Sequence, residues 1–440
     1  MKFFLSVIFL FLLNCSFDNK TGIWKNNNLA ESDKKNDRFA DFEKLYTSEK
    51  TFDSIILPKK SLKIVANPVI SNLKWLDEYY NDSNNLDNFS YKNLNQLIFK
   101  SKKLSKNKVN NKFFFQDNHA IISDDKGNII VYSVEKKEII LKYNFYKKRL
   151  RKIKKNLNIK VENNVIFISD NLGYLYALNY INGKLLWAKN YKIPFRSNLK
   201  IFKNKIALSD INNSLYFINK FNGEKLNSIP TEETILKNNF FSSLALIENS
   251  LFYLNTYGSL YSTNYNGRIN WFLNLKSSLD ENSSNLFFSN PIVSYQDKLI
   301  VSSDPYLYIL NSNTGSTISK IAITSIFKPI ISGNNIFLIT KNNLLVCINL
   351  NTGSIIYSIE INQEIANYLE TKKEFIDIKS MSLINNNFYL FLNNSFFIEF
   401  SLEGKIRNID KLPSKLGSMP IFIKDSIIYL NDKNKLTIIN

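Results

Sequence analysis

Seven times between residues 121 and 405 the chain runs through one short cycle: an apolar strand, a polar turn, a second apolar strand, a Gly turn and a third strand. The clearest copy is Ile166–Asp170, then Gly173, then Tyr174–Leu178, then Asn182-Gly183-Lys184 and Leu185-Leu186-Trp187. The turn glycines are Gly183, Gly223, Gly267, Gly315, Gly353 and Gly404, spaced 40, 44, 48, 38 and 51 residues apart. The first copy, Ile121–Asp124 to Val134, carries Lys136-Lys137 where the others carry the Gly turn. Asn-Gly turns need a positive φ, which Gly supplies without steric strain. One such unit cannot bury both of its faces, so neighbouring units must stack. A strand-rich period of about 40–50 residues implies stacking as blades around an axis. The 34 Phe and 23 Tyr suit that architecture, because aromatic residues favour strands.

After the seventh copy come Ile427–Leu430, a turn, and Leu436–Ile439, and the chain stops one strand short of another blade. An early unassigned strand, Leu97-Ile98-Phe99-Lys100, can supply it, which would remove the open sheet edge. The expectation is therefore an all-β, eight-bladed β-propeller over residues 55–440. Its blades are four-stranded and antiparallel, and an N-terminal strand closes the ring against the C-terminal blade.

The N-terminus reads as an address. Lys2 precedes the apolar run Phe3–Leu13, broken only by Ser6, and Cys15 stands at its end. The run fits a secretory signal peptide and is too short to span a bilayer, which takes about 20 residues. Residues 1–14 are read as that signal and residues 15–54 as a polar tether, with at most a short helix near residues 38–45. Cys347, in Leu344–Ile348, reads as a buried core thiol.

Catalytic chemistry finds little to build on. One histidine and two cysteines exclude zinc-finger and disulfide scaffolds. Asp124, Asp170, Asp210 and Asp304 recur after a strand. They read as turn residues that accept a backbone amide two positions on, rather than as metal ligands. His119 reads as part of a turn before a strand. There is no Gly-rich phosphate loop and no Gly-x-Ser-x-Gly elbow. The expectation is no catalytic, metal or cofactor site. The formal charge of +19 has its densest cluster in Lys147–Lys155, on a connection between copies. That run reads as a solvated loop or as a contact for anionic lipid or an acidic protein. Export removes the chain from nucleic acid.

The string Ser169–Leu178 followed by Gly183–Trp187 resembles the quinoprotein-type (PQQ-like) propeller repeat, in which a tryptophan four residues after the turn glycine packs between blades. Trp187 and Trp271 match it and Tyr357 substitutes, whereas Asn227, Ser319 and Asn408 depart. Leu12-Leu13-Asn14-Cys15 resembles a bacterial lipobox, with Asn14 where Gly, Ala or Ser is usual. Lipobox, tether and eight repeats together resemble the outer membrane protein assembly factor BamB family, of alphaproteobacterial type. That resemblance implies a non-enzymatic scaffold lipidated at Cys15, held at the outer membrane and facing the periplasm. It implies binding to the POTRA region of BamA, to other barrel-assembly subunits and to unfolded barrel clients, and no cofactor. It also implies a contact loop, Lys192–Ser197, with Phe195 as apolar anchor and Arg196 as charged partner. The alternatives are a secreted quinoprotein-like enzyme and a surface propeller that binds an external ligand.

Overall fold

The structure, a computed structural model, describes residues 15–17, 24–26, 52–147, 150, 152–233, 240–276 and 287–440. The chain divides into two compact units, Met1–Lys50 and Thr51–Asn440. In the first, Cys15–Phe17 pairs antiparallel with Trp24–Asn26, two short strands that the tether reading did not contain. The proposed signal peptide and the stretch near residues 38–45 lie outside the described residues.

Among the described residues the second unit holds eight sheets, antiparallel but for one parallel pairing at Asn88–Phe89. Blade 1 is built from Phe114–Gln116, His119–Ser123, Asn128–Ser133 and Glu138–Asn144. Blade 2 follows with Leu157–Glu162, Val165–Asp170, Tyr174–Asn179 and Leu185–Asn190, and blades 3 to 7 repeat the plan from Lys200 to Lys411. Blade 8 has Ile421–Ile423, Ser426–Leu430 and Leu436–Ile439, and its outermost strand is Leu97–Lys100. The ring is closed as the sequence predicts, with Phe99 opposite Ile438.

Packing explains why the middle strands were legible. In blade 2, Val165–Asp170 and Tyr174–Asn179 are buried almost throughout, whereas Leu185–Asn190 exposes all but Trp187. A strand covered on both faces by neighbouring blades reads as a continuous apolar run. The innermost strands are short, only three residues in blades 1, 3, 5, 6 and 8, and several carry polar residues.

Neighbouring blades are joined at the outer Gly turns. Trp187 of blade 2 donates its indole N–H to Lys220 O of blade 3, at 2.9 Å. A Cβ built on Gly223, whose φ is +70°, would lie 2.5 Å from that indole, so Gly is needed there for both space and backbone. Trp271 of blade 4 repeats the contact on blade 5, donating to Ser312 O at 2.9 Å beside Gly315. Tyr357 of blade 6 does so on blade 7, its hydroxyl donating to Leu402 O at 2.7 Å. In blade 1, Lys137 takes the positive φ, 57°, that Gly supplies elsewhere.

The segment Asn72–Phe89 passes once around the axis and touches the hub of every blade in turn. Asn72 Nδ2 donates to Phe422 O of blade 8 at 2.9 Å. Trp75 exchanges two backbone bonds with Phe115 of blade 1, and Leu76 O accepts from Val161 N of blade 2. Asp77 meets Lys200 of blade 3. Asp82 O and Ser83 O accept from Leu246 N of blade 4 and Ser294 N of blade 5. Asn85 bonds both ways with Ile331 of blade 6. Asn88–Phe89 then adds a parallel strand to Leu383–Ile384 of blade 7.

Candidate functional site

Threading a polar segment through the hub creates two linked environments. The first is a charge cluster. Asp77 is 1% exposed, and its carboxylate accepts from Lys200 Nζ at 2.8 Å and Lys160 Nζ at 3.0 Å. Burial alone would raise its pKa, but the two ammonium groups outweigh it and hold the carboxyl at about 2. The lysines respond in opposite directions. Lys160 is raised, since against its own burial it has both Asp77 and Asp82, the latter at 2.7 Å. Lys200 is lowered, because its complete burial, together with Lys160, outweighs the pull of Asp77 and Asp82. Lys200 also donates to Asn81 O and Asn84 Oδ1 at 2.8 and 2.7 Å, so each of its three protons has a partner.

The second environment is a cavity of about 380 Å³ between the axial segment and the hub ends of blades 1, 5, 6, 7 and 8. Its wall is largely apolar, with Trp75, Phe113, Phe327 and Met381 among the lining. Glu78 is its only carboxylate. That group is engaged by Lys112 Nζ at 3.0 Å and by Ile159 N at 3.1 Å, and the Lys112 ammonium lies 3.9 Å from the Tyr79 ring centre. Lys328 Nζ donates to Asn84 O. The Ser380 hydroxyl is buried with no hydrogen-bond partner.

Sequence reasoning missed this hub. Asn84, Asn85 and Asn88 are buried there, yet in an Asn-rich chain they read like any loop asparagine. The only local signal was the dense polar string from Asp77 to Asn88 with no repeat of its own.

The residues singled out from sequence fall in different places. Phe195 and Arg196 lie on the connection from blade 2 to blade 3, but they are 3% and 8% exposed. Phe195 packs edge-on against Tyr191 and Tyr216. Arg196 Nη2 donates to Asn213 Oδ1 at 2.6 Å and Thr256 Oγ1 at 2.7 Å, and burial lowers its pKa. The structure therefore does not present either side chain to solvent; Lys192 is the exposed residue of that loop. In the basic run, Lys155 is fully buried and caps Leu150 O and Ile153 O, while Lys152 and Lys154 are exposed. Lys148, Arg149 and Arg151 lie outside the described residues.

Asp124, Asp170 and Asp210 each accept two backbone amides, two and four residues on, at 2.8–3.0 Å. Asn255 does the same in blade 4. Asp304 differs. Pro305 follows it, and its carboxylate takes Thr324 Oγ1 and Lys341 Nζ instead. His119 is the first residue of a blade 1 strand, its ring edge-on to Tyr180. Cys347 is a buried free thiol. Of Cys15 only the backbone is described.

Residues 147–358 match the family model described as outer membrane protein assembly factor BamB. Among solved structures, BamB from Moraxella catarrhalis matches with a TM-score of 0.59 at 13% identity, over 78% of this chain and 98% of that one. Quinohemoprotein alcohol dehydrogenase from Comamonas testosteroni gives 0.61 at 9% identity, over 83% and 80%. A europium-containing methanol dehydrogenase gives 0.57 at 11%, over 83% and 89%. No curated protein matches the sequence. At these identities the structural likeness establishes the fold, and function must come from a site.

The europium named in the second of those dehydrogenases has no ligand set in this hub among the described residues. Among the described residues no three His, Cys, Asp or Glu side chains converge, and the one carboxylate lining the cavity is already paired. A hard cation needs six or more oxygen ligands. The family match spans blades 2 to 6 of a closed eight-bladed ring, and the chain is similar to BamB in its propeller of PQQ-type repeats.

Proposed function

We propose that this propeller is a non-enzymatic scaffold of the outer-membrane β-barrel assembly machinery. In this reading it is anchored by lipid at Cys15, faces the periplasm, binds the POTRA region of BamA and assists insertion of barrel proteins. The observation that carries the reading is the match of residues 147–358 to the BamB family model. A closed ring with its hub filled by its own chain also suits a rigid body that works through its rim and loops. No helix among the described residues is long and apolar enough to cross a membrane, so a lipid at Cys15 would supply the attachment. The POTRA contact would fall on the exposed crest at Lys192, with Phe195 and Arg196 holding the loop in place from beneath.

The test is recovery of partners from detergent-extracted membranes through a C-terminal tag. BamA and its partner lipoproteins should co-purify, Lys192→Glu should lower their yield, and Cys15→Ser should move the protein out of the membrane fraction. Absence of barrel-assembly proteins from the wild-type eluate would sink the reading. Saturable heat on adding PQQ to the purified protein would favour the quinoprotein alternative instead.

A further inference from the structure

We propose that the axial cavity binds an amphipathic carboxylate of the fatty-acid class, its headgroup on Lys328 and its tail against the apolar wall. The inference does not depend on the assembly role.

Three observations converge on it. The cavity, about 380 Å³, is within the range of small-molecule sites, and its wall is mostly apolar with a few polar groups. Met381 and Met419, both in the lining, give that wall the adaptable surface that flexible chains require. The polar groups are also unevenly satisfied. Lys112 has Glu78, whereas Lys328, which has three protons to give, donates to one backbone carbonyl, Asn84 O. No carboxylate lies within ion-pair distance of Lys328 among the described residues. Ser380, nine-tenths buried in the same lining, carries a hydroxyl with no partner. An ammonium without a counter-ion and an unbonded hydroxyl, both in the lining of one largely apolar chamber, are complementary to one carboxylate on an apolar body. A cationic or purely apolar guest would leave those groups unsatisfied.

The electrostatics of the hub support the assignment. Burial lowers the Lys328 amine to about 7. The charged groups facing it are Lys200 of blade 3 and Lys112, which repel its proton, and Asp77 and Asp87 of the axial segment, which favour it. An incoming carboxylate would restore the charged form. A fatty acid is ionised well below neutral pH, so above pH 7 its binding must draw a proton onto Lys328, and affinity falls as pH rises.

The experiment is calorimetric titration of the purified mature chain with laurate below its micelle concentration, beside lauramide, which has the same tail and no charge. Laurate should bind at one site per chain, and lauramide roughly tenfold or more weaker. Between about pH 6 and about pH 8 laurate affinity should fall. Lys328→Met should lower laurate affinity by a similar factor and abolish the pH dependence, with a circular-dichroism melt matching the wild type. The laurate–lauramide comparison needs no variant, so a misfolded Lys328→Met cannot rescue or sink the proposal. Equal affinity for the two ligands, or no saturable laurate heat, overturns it.

Discussion

Asp77 and Lys200 stand 123 residues apart in sequence and 2.8 Å apart at the hub, and almost nothing of either reaches solvent. The pair ties the axial segment to the inner strand of blade 3, and Lys160 of blade 2 shares the same carboxylate. A buried pair gives little net stability over an apolar substitute, but removing one partner strands the other charge. Asp77→Asn should therefore lower unfolding free energy by about 3–5 kcal/mol in urea titrations. Asp77→Leu combined with Lys160→Met and Lys200→Met should recover much of that loss.

The same carboxylate predicts an acid limb. Its folded pKa of about 2 lies below the ordinary aspartate value near 3.9, so its contribution is complete above about pH 4. The contribution is lost as pH falls through 2, and is worth on the order of 2–3 kcal/mol. Melting temperature should fall more steeply from pH 4 to pH 2 in the wild type than in Asp77→Asn. Parallel curves would remove Asp77 as the source.

Trp187→Phe keeps an aromatic ring but loses the fused second ring and the bond to Lys220 O, the bond alone worth about 1 kcal/mol. Gly223→Ala should cost more, because the new Cβ meets the indole 2.5 Å away in a backbone conformation that disfavours side chains. In a Trp187→Ala background the clash with the indole should vanish, while the contact with the Lys189 stem at 2.9 Å and the backbone part persist. Double-mutant-cycle melts would read that coupling directly.

Replacing Leu97–Lys100 with Gly-Ser-Gly-Ser removes the outer strand of blade 8 and leaves Leu436–Ile439 as an open edge. Open edges pair with other chains. The variant should melt earlier and form dimers or larger species in light-scattering chromatography, while the wild type should not.

Arg196→Glu places a carboxylate at a buried site built to receive a guanidinium from Asn213 and Thr256. It should destabilise the fold by several kcal/mol. Lys192→Glu, on the exposed crest of the same loop, should leave the melt within about 0.5 kcal/mol. The two variants thus separate loss of a partner contact from loss of packing.

What was legible in the sequence is what recurs. The second and third strands of each blade announce themselves because both faces are buried. The glycines at 223 and 315 do so because the positive φ and the neighbouring Trp leave room for nothing larger. Leu97–Lys100 was recoverable because one blade lacked a strand. The hub was not legible, because Lys160 and Lys200 are buried by a segment that belongs to no repeat, and a polar residue shows in sequence only that it needs partners. The burial of Arg196 was hidden for the related reason that an arginine looks alike in sequence whether it faces water or a neighbouring blade.

The bonds of the axial segment to the blades grow steadily longer in sequence. They span 83 residues to Lys160, 123 to Lys200, 160 to Leu244, 246 to Ile331, 298 to Asn386 and 350 to Phe422. A chain that emerges from its N-terminus has this segment waiting before any blade exists. Each blade then meets a docking partner already made, in the order of synthesis, and Leu97–Lys100 must wait for the last blade to capture it. Contacts of such separation fold slowly when left to chance encounter. Here one short stretch acts as a guide along which a long-range fold is assembled one neighbour at a time.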